Sequence, residues 1–337
     1  VACTRPMIAV GNEVGSCLCT RLPRRLRTHD VLSLQSELAR SAKRHAITSV
    51  VLSGLGRGSD LSWVSSQRKA KEHFAPLSAV VRAIGDGPVP VVVTLDGHVT
   101  GSAIGLGAHA RSCIVTERTR MSLPGPMYGI VPESFASYQL ARLPRGLGAY
   151  LSLTGASLSG AEMVDLGLAT HQTESQSLER VDGALGLMSD VHWGRMLRTI
   201  EEVCVEPRRE TYSEAHALYY IDQIADSFGR GSLLDVVRAL EAADSPWHSQ
   251  ALQLVRAASP LAAHVTFASL QEAGAASCWT HALDLEARVC TASLASADAE
   301  SGLEGLEELK VELDGEVELH AYGDMPTDEP SEAEFAA

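Results

Sequence analysis

The stretch VPVVVTLDGHVTGSAIGLG, residues 89–107, decides the fold. Its first part is a continuous apolar and β-branched run, which is typical of a strand that is buried on both faces of a sheet. The run ends at an Asp-Gly pair, and the small residues after it permit close approach of the backbone and begin a helix. A strand, a glycine-containing loop and a helix in this order predict an α/β architecture with parallel strands.

The same alternation continues on both sides of this stretch. ITSVVLSG is a second β-branched run that ends in glycine, so we predict parallel strands at 47–53 and 90–95. Helical patterns cover 29–44 and about 66–85. The loop GLGRGSD, residues 54–60, and the small-residue run follow the ends of successive strands. These are the positions at which α/β folds place their ligand sites.

The composition changes twice further along the chain. Helical patterns follow one another from about residue 179, and acidic residues dominate from residue 298. We therefore predict an α/β core over 1–178, a helical region over 179–297, and a partly disordered acidic extension over 298–337. The extension holds 14 acidic residues and one lysine, so it carries −13 of the formal net charge of −14. Because the acidity is confined to the extension, it does not exclude a nucleic-acid partner for the rest of the chain.

A basic patch lies near the N-terminus. The segment RLPRRLR contributes Arg21, Arg24, Arg25 and Arg27. Such a patch is either an ordinary solvated surface or a contact for a polyanionic partner. No apolar run reaches the 18 or so residues of a membrane span, so we expect no membrane segment. The seven cysteines lack the paired spacing of a zinc site, so we expect no metal.

Two further motifs identify a family. GASLSGAEMVDLGLATH, residues 155–171, and LEAADSPWHSQALQLVRAASPLAAHVTFASLQEA, residues 240–273, resemble the crotonase (enoyl-CoA hydratase/isomerase) superfamily. Within it, the chain is most similar to the 3-hydroxyisobutyryl-CoA hydrolase branch, over roughly residues 8–292. The resemblance implies an α/β fold of the crotonase-like (ClpP/crotonase) type, with a ββα spiral core followed by a helical C-terminal region.

The resemblance also implies where an acyl-CoA thioester would react. In this superfamily, the thioester carbonyl lies between two backbone N–H groups that stabilise negative charge as it develops. The positions that match these donors are Arg57, where the family usually has alanine, and Ser102, where it has the central glycine of three. Both residues keep an N–H, but both add side chains where the pantetheine arm approaches. The resemblance implies no cofactor.

The carboxylates of the family are mostly missing. Gly125 stands at the position of the glutamate in a "P-E-T"-like segment, so the resemblance implies that this catalytic acid is lost. Glu133 stands at the position of the aspartate in a "P-D-x-G-G" motif, and bulkier residues replace the glycines that follow. No catalytic set is therefore expected to be intact. Taken by itself, Glu133 is open to a second interpretation as the cap of a helix N-terminus.

Two functions of different classes remain open. The first is that of a pseudoenzyme: a catalytically degenerate 3-hydroxyisobutyryl-CoA hydrolase-like protein that serves as a structural subunit. The branch has supplied such a protein to the small subunit of mitochondrial ribosomes, which implies ribosomal proteins and rRNA as partners and the mitochondrial matrix as location. The second is an active 3-hydroxyisobutyryl-CoA hydrolase of valine catabolism, which would bind acyl-CoA and use Glu133 as its remaining carboxylate. We favour the first.

Overall fold

The computed structural model describes residues 12–14, 17–44, 47–61, 64, 67–186, 193–204 and 212–294. In this part of the chain the strands form two sheets. The larger sheet has the spatial order β1 (Asn12–Val14), β2 (Cys17–Arg21), β3 (Ser49–Leu55), β4 (Val91–Leu95), β6 (Ser112–Thr116) and β9 (His171–Thr173). The smaller sheet has the order β5 (His98–Thr100), β7 (Arg120–Ser122) and β8 (Leu158–Ser159).

The larger sheet is parallel from β2 to β9, and β1 alone among its strands runs antiparallel to its neighbour. Strands β3 and β4 pair directly, with Val50 opposite Val91. This pairing confirms the parallel strands predicted at 47–53 and 90–95, although β3 begins and ends two residues later than predicted.

Helices surround both sheets. The described α-helices are α1 (Thr28–Lys43), α2 (Gln67–Asp86), α3 (Ser102–Ala108), α4 (Ser137–Leu140), α5 (Leu147–Thr154), α6 (Gly160–Asp165), α7 (Leu178–Gly186), α8 (Trp193–Val203), α9 (Ile221–Phe228), α10 (Leu233–Ala242), α11 (Pro246–Ala257), α12 (Pro260–Ala275) and α13 (Trp279–Ser293). Helices α1 and α2 confirm the two predicted before β4. No helix in the described ranges is both long and apolar enough to cross a membrane.

The larger sheet is covered on both faces. Alternate residues of a strand point to opposite faces. Val51 and Val92 therefore belong to a small apolar cluster that includes Met196 of α8, whereas Val50 and Val93 belong to the main core on the other side. Burial on both faces explains why the strand sequences are continuously apolar instead of alternating.

The main core does not stop at the sheet. It continues through Phe267 of α12 and Leu283 of α13, so the later helices share one apolar interior with the strands. Each fully buried side chain of this size contributes about 1.5–3 kcal/mol to folding. The helical region is therefore an integral part of the packing that holds the loops beyond β3 and β5. The predicted acidic extension over 298–337 lies outside the described residues.

Candidate functional site

Three loops from distant parts of the chain meet near the carboxyl ends of β3 and β5. The first carries Ser59, and the second enters α3 at Ser102. The third follows the 3-10 helix Gly125–Tyr128 and carries Glu133. Glu133 and Ser59 are each 5% exposed, and Ser102 is fully buried. The site therefore forms only when the whole core is folded.

The carboxyl group of Glu133 accepts hydrogen bonds from two backbone N–H groups. Its Oε1 lies 3.3 Å from the nitrogen of Ser59, and its Oε2 lies 3.1 Å from the nitrogen of Ser102. Gly101 makes this approach possible, because a Cβ atom built there would lie 1.9 Å from Oε1 and the residue has a φ of +58°. Since Ser102 is the first residue of α3, Glu133 also occupies the capping position that one interpretation of the sequence predicted.

A buried histidine extends this cluster. The hydroxyl oxygen of Ser59 lies 2.8 Å from Oε2 of Glu133 and 2.9 Å from Nε2 of His73. The Nδ1 atom of His73 lies 3.3 Å from the hydroxyl oxygen of Thr28, and the Ser102 hydroxyl lies 3.3 Å from that of Ser59. The hydroxyl of Ser59 thus lies within hydrogen-bond distance of three side chains, so it is engaged and not directed at open space.

Burial determines the protonation of this cluster. It raises the pKa of Glu133 to about 8, although hydrogen bonds from Ser59 and Ser102 act in the opposite direction. Burial also lowers the pKa of His73 to about 4, against the field of Asp60. Near neutral pH both groups are mainly uncharged, because burial penalises the charged form of each.

The main cavity lies away from the cluster around Glu133, and the described residues form no candidate metal site. A cavity of about 610 Å³ lies between the smaller sheet and α11, and its wall includes the aromatic rings of Tyr150, Tyr220 and Trp247. Ser59, Ser102 and Glu133 do not line this cavity. Over the residues with described positions, no three His, Cys, Asp or Glu side chains are arranged to hold a metal ion.

Comparison with known families now assigns the chain. The enoyl-CoA hydratase/isomerase model matches residues 25–314, which include all three loops of the site. The chain belongs to this family. Its fold is the crotonase fold: a carnitinyl-CoA dehydratase from Mycobacterium thermoresistibile superposes with a TM-score of 0.81 at 26% identity, over 90% of each chain. An enoyl-CoA hydratase from Rhodobacter sphaeroides 2.4.1 superposes with a TM-score of 0.77 at 24% identity, over 91% of this chain and 90% of that one.

Similar curated proteins are of two kinds. Human mitochondrial 3-hydroxyisobutyryl-CoA hydrolase is 24% identical over 264 residues, which cover 75% of this chain and 68% of the relative. The Arabidopsis thaliana small ribosomal subunit protein mS47 is 28% identical over 247 residues, which cover 67% of this chain and 58% of the relative. A probable 3-hydroxyisobutyryl-CoA hydrolase 2 of the same plant is 32% identical over 54% of this chain and 49% of its own. The chain thus spans about half to two thirds of these relatives.

The structure corrects one of the two predicted oxyanion donors. The N–H of Arg57 donates to the carbonyl of Arg24 at 2.7 Å, so it is directed away from Glu133 and the prediction for Arg57 was wrong. The segment after β3 continues to pair with residues 24–26, and this pairing uses the N–H of Arg57. Ser59, two residues later, supplies the donor instead. The other predicted donor, Ser102, does face the carboxyl group of Glu133.

Gly125, which the sequence analysis matched to the glutamate of the family, has no room for a side chain. A Cβ atom built on Gly125 would lie 2.6 Å from the carbonyl oxygen of Ile130 and 3.1 Å from the nitrogen of Pro132. Both contacts are with backbone, which cannot rotate away as the end of a side chain can. The segment 130–132 therefore fills the space into which a side chain at position 125 would extend.

The loop that carries Glu133 is held by the helical region. Glu286 of α13 accepts hydrogen bonds from the hydroxyl of Ser134 at 2.8 Å, from the N–H of Phe135 at 2.5 Å and from the N–H of Ser137 at 3.1 Å. Phe135 has a φ of +51°, a conformation that bulky residues rarely adopt. The buried carboxylate thus fixes a strained segment in place of the glycines of the family.

The four arginines predicted to bind a partner are not equivalent. Arg27 forms an ion pair with Asp60, with Nε 3.0 Å from Oδ2. Arg21 and Arg24 are exposed and Arg25 is half-buried, around the carboxyl end of β2. Arg27 is therefore part of the internal structure, whereas the other three remain candidates for a contact surface.

Ser59 and His73 were missed by sequence reasoning. A signal for His73 was present, because it interrupts the apolar stripe formed by Ala70, Phe74 and Leu77 on the buried side of α2. A lone polar residue in such a stripe requires a buried partner. Ser59 carries no comparable signal, since its role depends on which N–H groups of the loop after β3 are used by strand-like pairing.

Proposed function

We propose that this chain is a catalytically degenerate 3-hydroxyisobutyryl-CoA hydrolase-like protein that acts as a structural subunit of the mitochondrial small ribosomal subunit, in the matrix. Its partners would be ribosomal proteins and rRNA. The similarity to the plant protein mS47 supports this assignment, and the similarity to mitochondrial hydrolases supports the compartment.

One observation carries the proposal: the two N–H groups that would receive an acyl oxygen are occupied by the chain's own Glu133. A thioester carbonyl has to displace this carboxyl group from Ser59 and Ser102 before the oxyanion site exists. Displacement would also break the contact between Glu133 and the Ser59 hydroxyl. Hydrogen-bond donors stabilise a transition state when they are already in position and free. Because this pair is occupied, the site loses the electrostatic stabilisation that is usually the largest contribution to catalysis.

The surroundings of Gly125 support the same conclusion. Catalysis by this family needs a positioned acid or base, and such a group typically contributes about 10²–10⁴-fold in rate. The backbone at 130–132 leaves no space for one at position 125. Glu133 is the carboxyl group that remains, and it is committed to the two N–H groups.

Active thioester hydrolysis is the second candidate, and one observation favours it. Both N–H donors are present and converge on one carboxyl group, and that group is largely protonated near pH 7 because burial raises its pKa to about 8. A protonated carboxyl group with such a pKa is suited to donate a proton at neutral pH. This candidate requires Glu133 to leave its present position whenever substrate binds.

A thioesterase assay separates the two candidates. We expect the purified chain to hydrolyse 3-hydroxyisobutyryl-CoA at less than about one hundredth of the rate of the human hydrolase assayed beside it, because a mispositioned site costs at least that much. Gly125→Glu should not restore the rate, since the new side chain meets the backbone of Ile130 and Pro132. Hydrolysis by the unmodified chain within about tenfold of the human enzyme would make it an active thioesterase.

Sedimentation of a native mitochondrial extract supplies the second half of this test. A structural subunit is expected to pellet with the small ribosomal subunit, whereas a free hydrolase stays in the supernatant. A chain that is inactive and also stays soluble under all conditions contradicts the ribosomal assignment.

A further inference from the structure

The loops after β2 and β3 run side by side beyond the sheet. The N–H of Arg57 donates to the carbonyl of Arg24 at 2.7 Å, and the N–H of Leu26 donates to the carbonyl of Gly58 at 2.7 Å. The N–H of Asp60 then donates to the carbonyl of Leu26 at 2.8 Å. This ladder fixes the positions of Arg24 and Arg57 on neighbouring segments, which are about 5 Å apart in such pairing.

The arginines brought together here are not neutralised by the chain. In the described part of the protein, no carboxylate forms an ion pair with Arg24, Arg25 or Arg57. The two nearby acids are already engaged, since Asp60 pairs with Arg27 and Asp96 pairs with Arg118. Desolvation and the positive charges of Arg25 and Arg24 lower the pKa of Arg57, which indicates that the three guanidinium groups repel one another.

Like charges on neighbouring strand-like segments are destabilising unless something compensates them. A neutral residue at position 57 would remove this repulsion at little cost. Arg57 is exposed, and its backbone hydrogen bond to Arg24 does not require a guanidinium group. The cluster is therefore suited to a large, highly charged anion that lies across both loops.

We propose that Arg24, Arg25 and Arg57 form a contact surface for the sugar-phosphate backbone of RNA. The assignment deepens the ribosomal role proposed above and rests on it for the identity of the RNA. The sequence-based prediction grouped Arg21, Arg24, Arg25 and Arg27. The surface proposed here keeps Arg24 and Arg25, omits Arg27 because it pairs with Asp60, and adds Arg57. Arg57, which failed as an oxyanion donor, thereby acquires a different role.

The chemistry of the cluster favours a phosphate backbone over other anions. A guanidinium group binds phosphate through two parallel hydrogen bonds and can also stack on a base. A phosphodiester chain presents closely spaced negative charges along each strand, so arginines on two adjacent loops can bind neighbouring phosphates of one chain. A single carboxylate carries one negative charge and would neutralise only one of the three arginines.

The test uses the full chain and a fluorescein-labelled single-stranded RNA of about 12 nucleotides. Binding is measured by fluorescence anisotropy between 50 and 300 mM KCl. The variant Arg24→Gln/Arg25→Gln/Arg57→Gln should weaken binding at least tenfold at 100 mM salt. It should also reduce the salt slope of log K by about 2, since each phosphate contact on a single strand contributes about 0.7.

A matched control separates the cluster from net charge. Arg68→Gln/Arg238→Gln/Arg256→Gln removes the same charge from three arginines that are each paired with an acid on the helices. This control should bind like the parent. Equal losses of RNA binding in both triple variants would overturn the proposal. Binding of polyglutamate of equal charge as tightly as the RNA would also overturn it, because that result assigns the surface to an acidic protein.

The failure of this proposal is distinguishable from the failure of the proposed function. If the cluster variant loses RNA binding and the parent never pellets with ribosomes, the surface stands and the ribosomal role fails. If the parent pellets with the small subunit and the cluster variant binds RNA like the control, the ribosomal role stands and the surface is wrong.

Discussion

At the scale of single residues, Glu133 decides what this site can do. The family aspartate is one methylene shorter, and the additional length here coincides with a carboxyl group that bonds directly to Ser59 and Ser102. Glu133 accepts from the hydroxyl of Ser59, which in turn contacts His73, and no positively charged group contributes to the shift of the Glu133 pKa. A carboxyl group in these surroundings is more stable protonated, which makes its contribution to folding depend on pH.

Glu133→Gln should become more stable than the parent as the pH rises. The folded-state pKa of about 8 lies above the unfolded value of about 4.3, so the parent loses stability as the pH rises between these values, because unfolding then releases a proton that only the folded state binds. An amide mimics the protonated acid and does not titrate. We expect the stability difference to grow by roughly 2–4 kcal/mol in favour of the variant from pH 5 to pH 8. Urea unfolding at each pH measures it.

The control for this prediction is Glu72→Gln, a change to an exposed carboxylate on α2 that pairs with Arg68. Its effect should vary little over the same range, because the ion pair of Glu72 with Arg68 lies in solvent and contributes little to stability. The contribution of His73 to stability changes with pH in the opposite direction. Its folded-state pKa of about 4 lies below the ordinary value of 6.5, so its contribution is complete above pH 6.5 and is lost on acidification. It is present in all three proteins and cancels. A pH-independent difference for Glu133→Gln would show that the carboxyl group is hydrated.

At the scale of elements, the contact between α13 and the loop 134–137 is decisive. Three donors of this loop converge on Glu286, and Phe135 keeps its left-handed conformation within it. Because the loop carries Glu133 at its start, a helix from the end of the described chain sets the geometry of the candidate site. This explains why the site and the helical region cannot be considered as separate units.

Glu286→Ala should destabilise the protein by about 2–4 kcal/mol, since three buried donors lose their acceptor. The loop should also become more sensitive to limited proteolysis, because the strained conformation at Phe135 loses the three hydrogen bonds that Glu286 accepts from this loop. Asp284→Ala is the matched control on the same helix: its ion pair with Arg82 is exposed and is worth about 0–1 kcal/mol. Similar losses for both variants in urea unfolding would mean that the loop is held by other contacts.

The elements themselves were predictable because local patterns determine them. The apolar runs of β3 and β4 and the stripes of α1 and α2 each follow from periodicity over a few residues. The error at Arg57 arose where local reasoning ends. The β3–β4 pairing shifts register between Leu52 and Leu55, and the following loop pairs with residues 24–26, so the N–H available to the site moves to Ser59.

The occupation of the site by Glu133 was not predictable from the sequence. It depends on how far the loop of Glu133 lies in space from two other loops. These carry Ser102 and Ser59, which are 31 and 74 residues from Glu133 along the chain. A sequence motif places a carboxylate on a loop but does not give the reach of its side chain across the site. The same holds for Glu286, which acts on a loop about 150 residues away.

At the scale of the whole molecule, charge is separated along the chain. The acidic extension carries −13, and residues 1–297 together carry −1, so the body is nearly neutral with a local basic surface. An enzyme of this family needs neither feature, because the chemistry lies between the loops at Ser59, Ser102 and Glu133. The two charged parts are therefore the segments from which an assembly subunit would derive its specific contacts.

Deletion of residues 298–337 should leave the core folded and weaken incorporation into the small ribosomal subunit. The described core, which includes Leu283 and Leu294, lies ahead of the deleted residues in the chain, so the thermal unfolding of the shortened chain should match that of the parent. Incorporation should fall because the extension supplies most of the charge that a basic partner protein would meet. The measurement is co-sedimentation of each variant with purified mitochondrial small subunits across a salt series.

Salt tests the contribution of both charged ends in this experiment. Exposed charges are screened over about 10 Å at 0.1 M salt, so contacts made by either end should weaken as salt increases. Neutralising Arg21, Arg24, Arg25 and Arg27 together should also reduce co-sedimentation, and Arg27→Gln alone should contribute least, because Arg27 is paired with Asp60. If the deletion and the arginine variants co-sediment like the parent at every salt concentration, the charged ends are not the contact surfaces. Incorporation would then have to rest on the neutral body of the fold.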